Sequence, residues 1–122
     1  MLRTRLDPGD TKTVDLDDVQ DVSMRVLLGR GHGMPNFALR HFVVEPGGHT
    51  PHHRHDYEHQ VVVLEGTGEA DSAEGVQSIS KGDVLYIAAD EPHQFRNSGT
   101  TSLQFICLVP LNRRNGEEVP GS

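Results

Sequence analysis

The sequence predicts an all-β domain of sandwich or barrel form. Thirteen glycines and seven prolines among 122 residues predict many turns. Between these turns, short segments rich in β-branched and aromatic residues recur at roughly ten-residue spacing. No stretch has helical apolar periodicity over more than a turn. Short strands joined by frequent turns are typical of sandwiches and barrels.

Length and charge narrow the class of protein. A chain of 122 residues can bury the core of one domain. Its net charge is -7, and no cluster of Lys and Arg could neutralise phosphates, so we expect neither nucleic acid nor an anionic membrane as partner. The single cysteine, Cys107, excludes an internal disulfide, and the sequence lacks the apolar stretch of a signal peptide or a spanning helix. We therefore predict a soluble, cytoplasmic protein.

The first 20 residues are polar and acidic, with a weak strand signal at Thr11–Leu16. Two interpretations remain open. The segment is either a solvated arm or a strand added to the sheet of a neighbouring subunit, because an arm needs a sheet edge to order it. The barrel is predicted to span residues 21–112, and a polar C-terminal tail that frays is predicted at residues 113–122.

The strands of the barrel follow from β-rich runs bounded by turn residues. The second run is predicted to end at a Pro-Gly-Gly turn at residues 46–48. A hairpin is predicted further on, with its turn around residues 74–75. The predicted strands are Ser23–Leu28, Asn36–Glu45, His59–Leu64, Glu69–Ala73, Gly75–Ser80, Val84–Ala88 and Leu103–Val109.

Five histidines lie within eleven residues of the segment that follows the Pro-Gly-Gly turn. On an extended strand His53, His55 and His59 would share one face, because side chains alternate with a period of two. Val61 and Val63 continue that face. Three imidazoles followed by aliphatic side chains on the same face predict a metal site in an apolar pocket. His93, Phe95 and Asn97 share one face of a later segment.

This histidine segment resembles the first sequence motif of the cupin family. Gly47 is followed after five residues by His53 and His55, after three more by His59, and after a further six by Gly66. Most cupins carry glutamate at the position of His59. The departure bears on the charge of the site.

A second segment resembles the other cupin motif. Gly82 is followed after five residues by Ala-Ala-Asp at residues 88–90, then by His93 and Asn97. The spacing is kept, although the family's Pro and Gly are lost at residues 88–90. The stretches N-F-A-L-R-H-F-V-V-E-P-G-G and F-I-C-L-V-P further resemble small single-domain four-histidine cupins that bind manganese.

The resemblance implies a double-stranded β-helix, or jelly-roll barrel, with one divalent metal ion at its mouth. It also implies a homodimer. Carried over residue by residue, the metal ligands would be His53, His55, His59 and His93.

The exchange of glutamate for histidine has a chemical consequence. Three histidines and one glutamate leave a site with a divalent ion at a charge of about +1, whereas four neutral imidazoles leave it at about +2. The ion is therefore a stronger Lewis acid than in the glutamate site and holds anions more tightly. Two adjacent open positions on an octahedral ion would suit a bidentate substrate, or substrate plus dioxygen. Nitrogen ligands do not select the metal. The expectation is manganese first, then iron, with zinc, nickel or copper possible.

Three functions fit such a site. The first is an oxygen-using oxidoreductase of dioxygenase type acting on a small organic substrate. The second is a Lewis-acid isomerase, cyclase or lyase. The third is a non-catalytic cupin that binds a small molecule. One scaffold supports many chemistries, so the family alone does not choose among them.

Several other side chains are candidates for the pocket or its surroundings. Phe95, Phe105 and Cys107 are predicted to face the interior, either as core or as pocket wall. Arg40 and Arg96 could pair with a substrate carboxylate, although both are more often surface charges. No residue is assigned a catalytic role.

The remaining candidates are predicted to lie away from the metal. Glu58 adjoins His59, but strand parity directs its side chain the other way, towards solvent or an ion pair. His49 and His52 are expected at the surface or behind the ligands. His32 and His41 are expected to be ordinary histidines.

Overall fold

A computed structural model describes residues 1–111, so the predicted tail at residues 113–122 lies outside the described residues. The described chain contains nine strands and two single-turn 3₁₀ helices, Pro8–Asp10 and Arg30–His32. Residues 1–111 include no helix long and apolar enough to cross a membrane. The strands are β1 (Lys12–Thr13), β2 (Gln20–Leu28), β3 (Phe37–His49), β4 (His59–Glu65), β5 (Thr67–Ser72), β6 (Gly75–Ser80), β7 (Val84–Ile87), β8 (Gln94–Arg96) and β9 (Leu103–Pro110).

The strands form one curled antiparallel sheet. Its order is β6-β5-β8-β3-β9-β4-β7, with β2 paired to β3 and β1 paired to β2. The long strand β3 belongs to both halves of the curl. Its first part pairs with β9 from Phe37↔Pro110 to Val44↔Leu103, and its last residue pairs as His49↔Arg96 with β8. The predicted all-β jelly-roll fold is confirmed.

The predicted turn at residues 46–48 is wrong, because β3 continues through these residues to His49. Gly47 adopts a positive φ of 83°, and the register with β2 shifts between Gln20 and Val22. The glycines therefore form a bend within a strand rather than a turn between strands, as bulges do. This bend directs β3 from one half of the sheet to the other.

The core lies inside the curl. Along β9 every second side chain is buried, including Phe105 and Cys107, as the sequence predicts. The rings of Phe42 and Phe105 stack with centroids 5.1 Å apart, and Phe95 lies 5.0 Å from Phe105. Aromatic rings from β3, β8 and β9 thus join the two halves of the sheet.

The N-terminal segment contacts β2 of its own chain. Lys12 pairs with Met24, and the Arg25 guanidinium donates to the carbonyl oxygen of Arg5 at 2.9 Å. The described strand is short compared with the predicted Thr11–Leu16. Pairing of this segment with a neighbouring subunit stays a prediction.

The predicted hairpin is confirmed. β5 and β6 pair from Thr67↔Ser80 to Ser72↔Gly75, which leaves two loop residues, 73 and 74. Gly75 closes the loop with a positive φ of 104°. The hairpin forms one wall of the barrel near the histidines.

Candidate metal centre

The histidine segment is a loop for most of its length. Residues 50–58 contain no strand, and β4 begins at His59. Of the three histidines expected to share one face of an extended segment, only His59 therefore lies on a strand. Two backbone hydrogen bonds pin the loop to the chain before β8. The His53 N–H donates to the His93 carbonyl at 3.1 Å, and the His93 N–H donates to the His53 carbonyl at 2.9 Å.

This pinned loop brings three imidazoles together. One ring nitrogen from each of His53, His55 and His93 lies within 4.8 Å of the other two. The Nε2 atoms of His55 and His53 are 3.1 Å apart. Two nitrogens bound to one ion at a right angle, with bonds of about 2.1 Å, would lie about 3 Å apart. The spacing of this pair therefore suits a shared metal ion.

His59 stands slightly outside that group of three. Its ring centroid lies 5.1 Å from those of His55 and His93. The residue is 1% exposed, and its Nε2 has no hydrogen-bond partner among the described residues. A buried polar atom without a partner is costly, and a ligand can satisfy it. The four imidazoles thus fit a divalent ion by their chemistry, with Nε2 of His59 as the fourth donor.

In His93 and His59 the protein contacts the other ring nitrogen, Nδ1. Nδ1 of His93 lies 2.9 Å from the carbonyl oxygen of Glu91, which can only accept, so this nitrogen carries the proton. Nδ1 of His59 lies 3.2 Å from Sγ of Cys107. Histidines that bind metals are commonly fixed through their second nitrogen in this way. The Glu91 carbonyl thus fixes the orientation of the His93 ring.

The electrostatic surroundings of His55 and His59 lower the pKa of both rings. Burial, with the charges of His53, His93 and Arg40, lowers the pKa of His55 from 6.5 to about 4. Burial is also the main reason that the pKa of His59 falls to about 3. Metal ligation requires a deprotonated ring nitrogen. His55 and His59 can therefore bind an ion at neutral pH without first losing a proton.

Tyr57 belongs to the site, although we did not predict it from the sequence. Its ring stacks on His55 with centroids 4.7 Å apart and lies 5.2 Å from His59. Its hydroxyl is buried and has no hydrogen-bond partner within residues 1–111. Burial raises the pKa of this phenol above its usual range. The signal in the sequence was its position between two candidate ligands, since Tyr57 is two residues from each of His55 and His59.

A cavity of about 250 Å³ adjoins His93. Apolar side chains from β6, β7 and β8 form one part of its wall, and polar residues, among them the carboxylates of Asp71, Glu74 and Glu91, form another. Phe95 lines this cavity, but Phe105, Cys107 and Arg40 do not. The lining residues are Ala70, Asp71, Ser72, Glu74, Gln77, Ile79, Leu85, Tyr86, Ile87, Ala88, Glu91, His93 and Phe95.

Arg40 is buried, so the expectation of a surface charge is wrong for this residue. It is 1% exposed, and Nη2 donates to Sγ of Cys107 at 3.6 Å. Its guanidinium carbon lies 5.3 Å from the ring centroid of Phe42. The reason is register, because Arg40 pairs with Cys107, whose side chain faces the interior. Arg96 is partly buried and forms ion pairs with Glu69 and Asp71.

The other histidines lie apart from the group of three. His52 is exposed, and its backbone N–H donates to Asp18 at 2.9 Å. Nδ1 of His49 lies 3.1 Å from the Thr50 carbonyl. His32 is exposed, whereas His41 is fully buried, with Nε2 3.1 Å from the side-chain oxygen of Gln104.

Two more predicted placements hold. Glu58 is exposed, as parity indicates. Asn97 is 3% exposed, and its Nδ2 donates to the carbonyls of Val44 and Thr101, each at 2.8 Å. The amide thus ties β3 to the turn between β8 and β9, which fits a residue that closes the second motif.

Comparison with known sequences identifies the family. Residues 40–109 match the profile of the cupin domain, so the chain belongs to the cupin family. It is 36% identical over 89 residues to the 1-methylthio-D-xylulose 5-phosphate methylsulfurylase of Rhodospirillum rubrum, covering 73% of this chain and 56% of that protein. It is 30% identical over 87 residues to auxin-binding protein 1 of Arabidopsis thaliana, covering 64% of this chain and 44% of that protein. The chain spans about half the length of these curated relatives.

Solved structures share the fold over nearly the whole chain. The polyketide cyclase of Streptomyces resistomycificus superposes with a TM-score of 0.80 at 27% identity, covering 99% of this chain and 88% of that one. A cupin-2 domain from Rhodospirillum rubrum superposes with a TM-score of 0.78 at 31% identity, covering 93% of this chain and 77% of that one.

Proposed function

We propose that this cupin binds one divalent metal ion through His53, His55, His59 and His93, and acts as an enzyme on a small organic substrate. The observation that carries the proposal is the buried, unpartnered Nε2 of His59 beside three clustered imidazoles. Manganese is the first choice, as in the four-histidine cupins that the sequence resembles, and iron the second.

A bound divalent ion would supply a Lewis acid that polarises a substrate oxygen. The chain's own residues do the rest. The Glu91 carbonyl holds the ring of His93, and the apolar side chains Ile79, Leu85 and Ile87 line the adjoining cavity. Such walls exclude water and strengthen electrostatic interactions within the site. An oxygen-bearing substrate with an apolar body fits this combination.

Two similar proteins support a reaction without oxygen. One is a polyketide cyclase and the other a methylsulfurylase, and neither name describes an oxygenase. The proposal therefore places Lewis-acid isomerase, cyclase or lyase chemistry first. A dioxygenase reaction is the second candidate, because the apolar side chains in the wall of the cavity beside His93 would suit dioxygen and a non-polar substrate.

Elemental analysis of protein made without an affinity tag tests the metal. An oxygen electrode, followed by NMR of the products, tests the reaction over a panel of phenolic, enol and alkene compounds. Near-stoichiometric metal with product formed under anaerobic conditions would support the Lewis-acid reaction. Substrate-dependent oxygen uptake would instead support the dioxygenase. Tight binding of a panel compound without turnover would support a binding role. Protein that contains no metal and takes none up would refute the proposal.

We also propose that the protein is a homodimer whose ligands are small molecules. Support comes from the resemblance to small cupins and from the net charge of -7, which disfavours nucleic acid. Light scattering coupled to size exclusion measures the mass in solution. A monomeric mass would contradict the dimer.

A further inference from the structure

Cys107 contacts a predicted metal ligand and a buried cation at the same time. It lies on β9, is fully buried, and points into the barrel. Its Sγ is 3.2 Å from Nδ1 of His59 and 3.6 Å from Nη2 of Arg40. These contacts connect three strands, because β3, β4 and β9 each contribute one of the residues.

The direction of these hydrogen bonds follows from the chemistry of the groups. A guanidinium can only donate, so the sulfur accepts from Arg40. A neutral imidazole carries a single N–H, on one nitrogen or the other. Binding of an ion through Nε2 of His59 requires the proton on Nδ1, which would then donate to the same sulfur.

Burial disfavours the opposite tautomer. A proton on Nε2 of His59 would leave a buried donor with no acceptor among the described residues. Orphaned buried N–H groups are rarer in proteins than buried acceptors without a full set of partners. The environment of His59 therefore favours a proton on Nδ1, provided that the sulfur is present to accept it.

We propose that Cys107 is a positioning residue that keeps the proton of His59 on Nδ1 and holds the ring with Nε2 towards the other imidazoles. It is neither a metal ligand nor a nucleophile in this role. Outer partners of this kind orient metal-binding histidines and tune their affinity. The inference rests on the proposed function, because it assigns a metal to these four histidines.

NMR of the metal-free wild-type protein tests the tautomer without any metal or variant. Long-range ¹H–¹⁵N correlation spectra distinguish a ring nitrogen that bears a proton from one that does not. The expected result is a protonated Nδ1 and a bare Nε2 in His59. A proton on Nε2 would overturn the inference.

Metal affinity tests whether the position of His59 depends on Cys107. Cys107→Ala removes the hydrogen-bond acceptor. Cys107→Ser reduces the side-chain volume by a similar amount but keeps an acceptor, the hydroxyl oxygen. Titration with Mn²⁺, with free ion measured by EPR, should show roughly 10–100-fold weaker binding for the Ala variant and recovery of most of this loss in the Ser variant. Val109→Ala is the matched control, since Val109 is buried on the same face of β9. It should bind Mn²⁺ like the wild type.

The outcomes separate this inference from the proposed function. Wild-type protein that binds no Mn²⁺ would refute the four-histidine site itself. Wild-type binding with an unaffected Ala variant would overturn only the role of Cys107. Equal losses in the Ala and Ser variants would do the same, because packing rather than an acceptor would then be the cause.

Discussion

His59 and Glu58 are neighbours in the chain with opposite environments. His59 is buried with an unpartnered Nε2, and Glu58 is exposed to solvent. His59→Ala should lower metal affinity by more than the roughly 10–100-fold that loss of an outer partner costs. Glu58→Ala should leave it unchanged. Elemental analysis after dialysis measures both, and equal metal contents would refute the ligand assignment.

The depressed pKa values of His55 and His59 predict how the metal-free protein responds to acid. Both pKa values fall from 6.5, to about 4 and about 3. Below about pH 6.5 the unfolded chain therefore binds more protons at these rings than the folded chain does. Stability must fall as the pH is lowered through this window. Thermal scans in a chelator from pH 7.5 to 4 should show a falling Tm.

A variant separates the contribution of His59 to the acid response from that of the Asp and Glu side chains, which also take up protons in acid. His59→Gln removes one of the two depressed groups, so its Tm should fall less steeply between pH 6.5 and 4 than that of the wild type. Parallel curves for the two proteins would show that His59 does not contribute to the acid response.

At the scale of elements, two glycines of the first motif differ in what surrounds them. Both have positive φ, 83° for Gly47 and 87° for Gly66. A methyl group at Gly47 would meet open space, whereas one at Gly66 would meet the carbonyl oxygen of Ser102. Gly47→Ala should cost about 1–2 kcal/mol from backbone strain alone. Gly66→Ala should cost more, because the backbone before β9 must also move.

Urea unfolding followed by circular dichroism measures this difference. Gly31→Ala is the control, because Gly31 has neither a positive φ nor a neighbour within 4 Å of the added methyl group. Of the three variants, Gly31→Ala should have the free energy of unfolding closest to that of the wild type. A Gly66 variant as stable as the Gly47 variant would contradict the steric account.

Strand prediction succeeded where side chains alternate between core and solvent, and failed where glycines allow a strand to bend. The alternation in β9 identified Phe105 and Cys107 as interior residues. The Pro-Gly-Gly sequence at 46–48 looks like a turn from its residues. It is a bend because its flanks pair with two different strands, which local sequence does not reveal.

At the scale of the whole molecule, the metal should stabilise the barrel. The four histidines come from one loop, β4 and the chain before β8, so an ion would cross-link segments far apart in sequence. At a free metal concentration 100 times the Kd, mass action adds about 2.7 kcal/mol. Chelation should therefore lower the Tm, and scanning calorimetry with and without verified metal removal measures it. An unchanged Tm would show that the barrel does not need the ion.

The sequence by itself determined the all-β class, the jelly-roll family and the candidate ligands. The all-β class follows from strand alternation and turn residues, which are local features. The jelly-roll family and the four ligands are what the resemblance of two motifs to those of cupins implies. Only the tertiary structure decided that Arg40 is buried, that Tyr57 stacks on His55, and that Cys107 contacts His59. The physical reason is that such contacts depend on the register between distant strands. Cys107 meets Arg40 on β3 and Val61 on β4 across sheet pairings that no local pattern encodes.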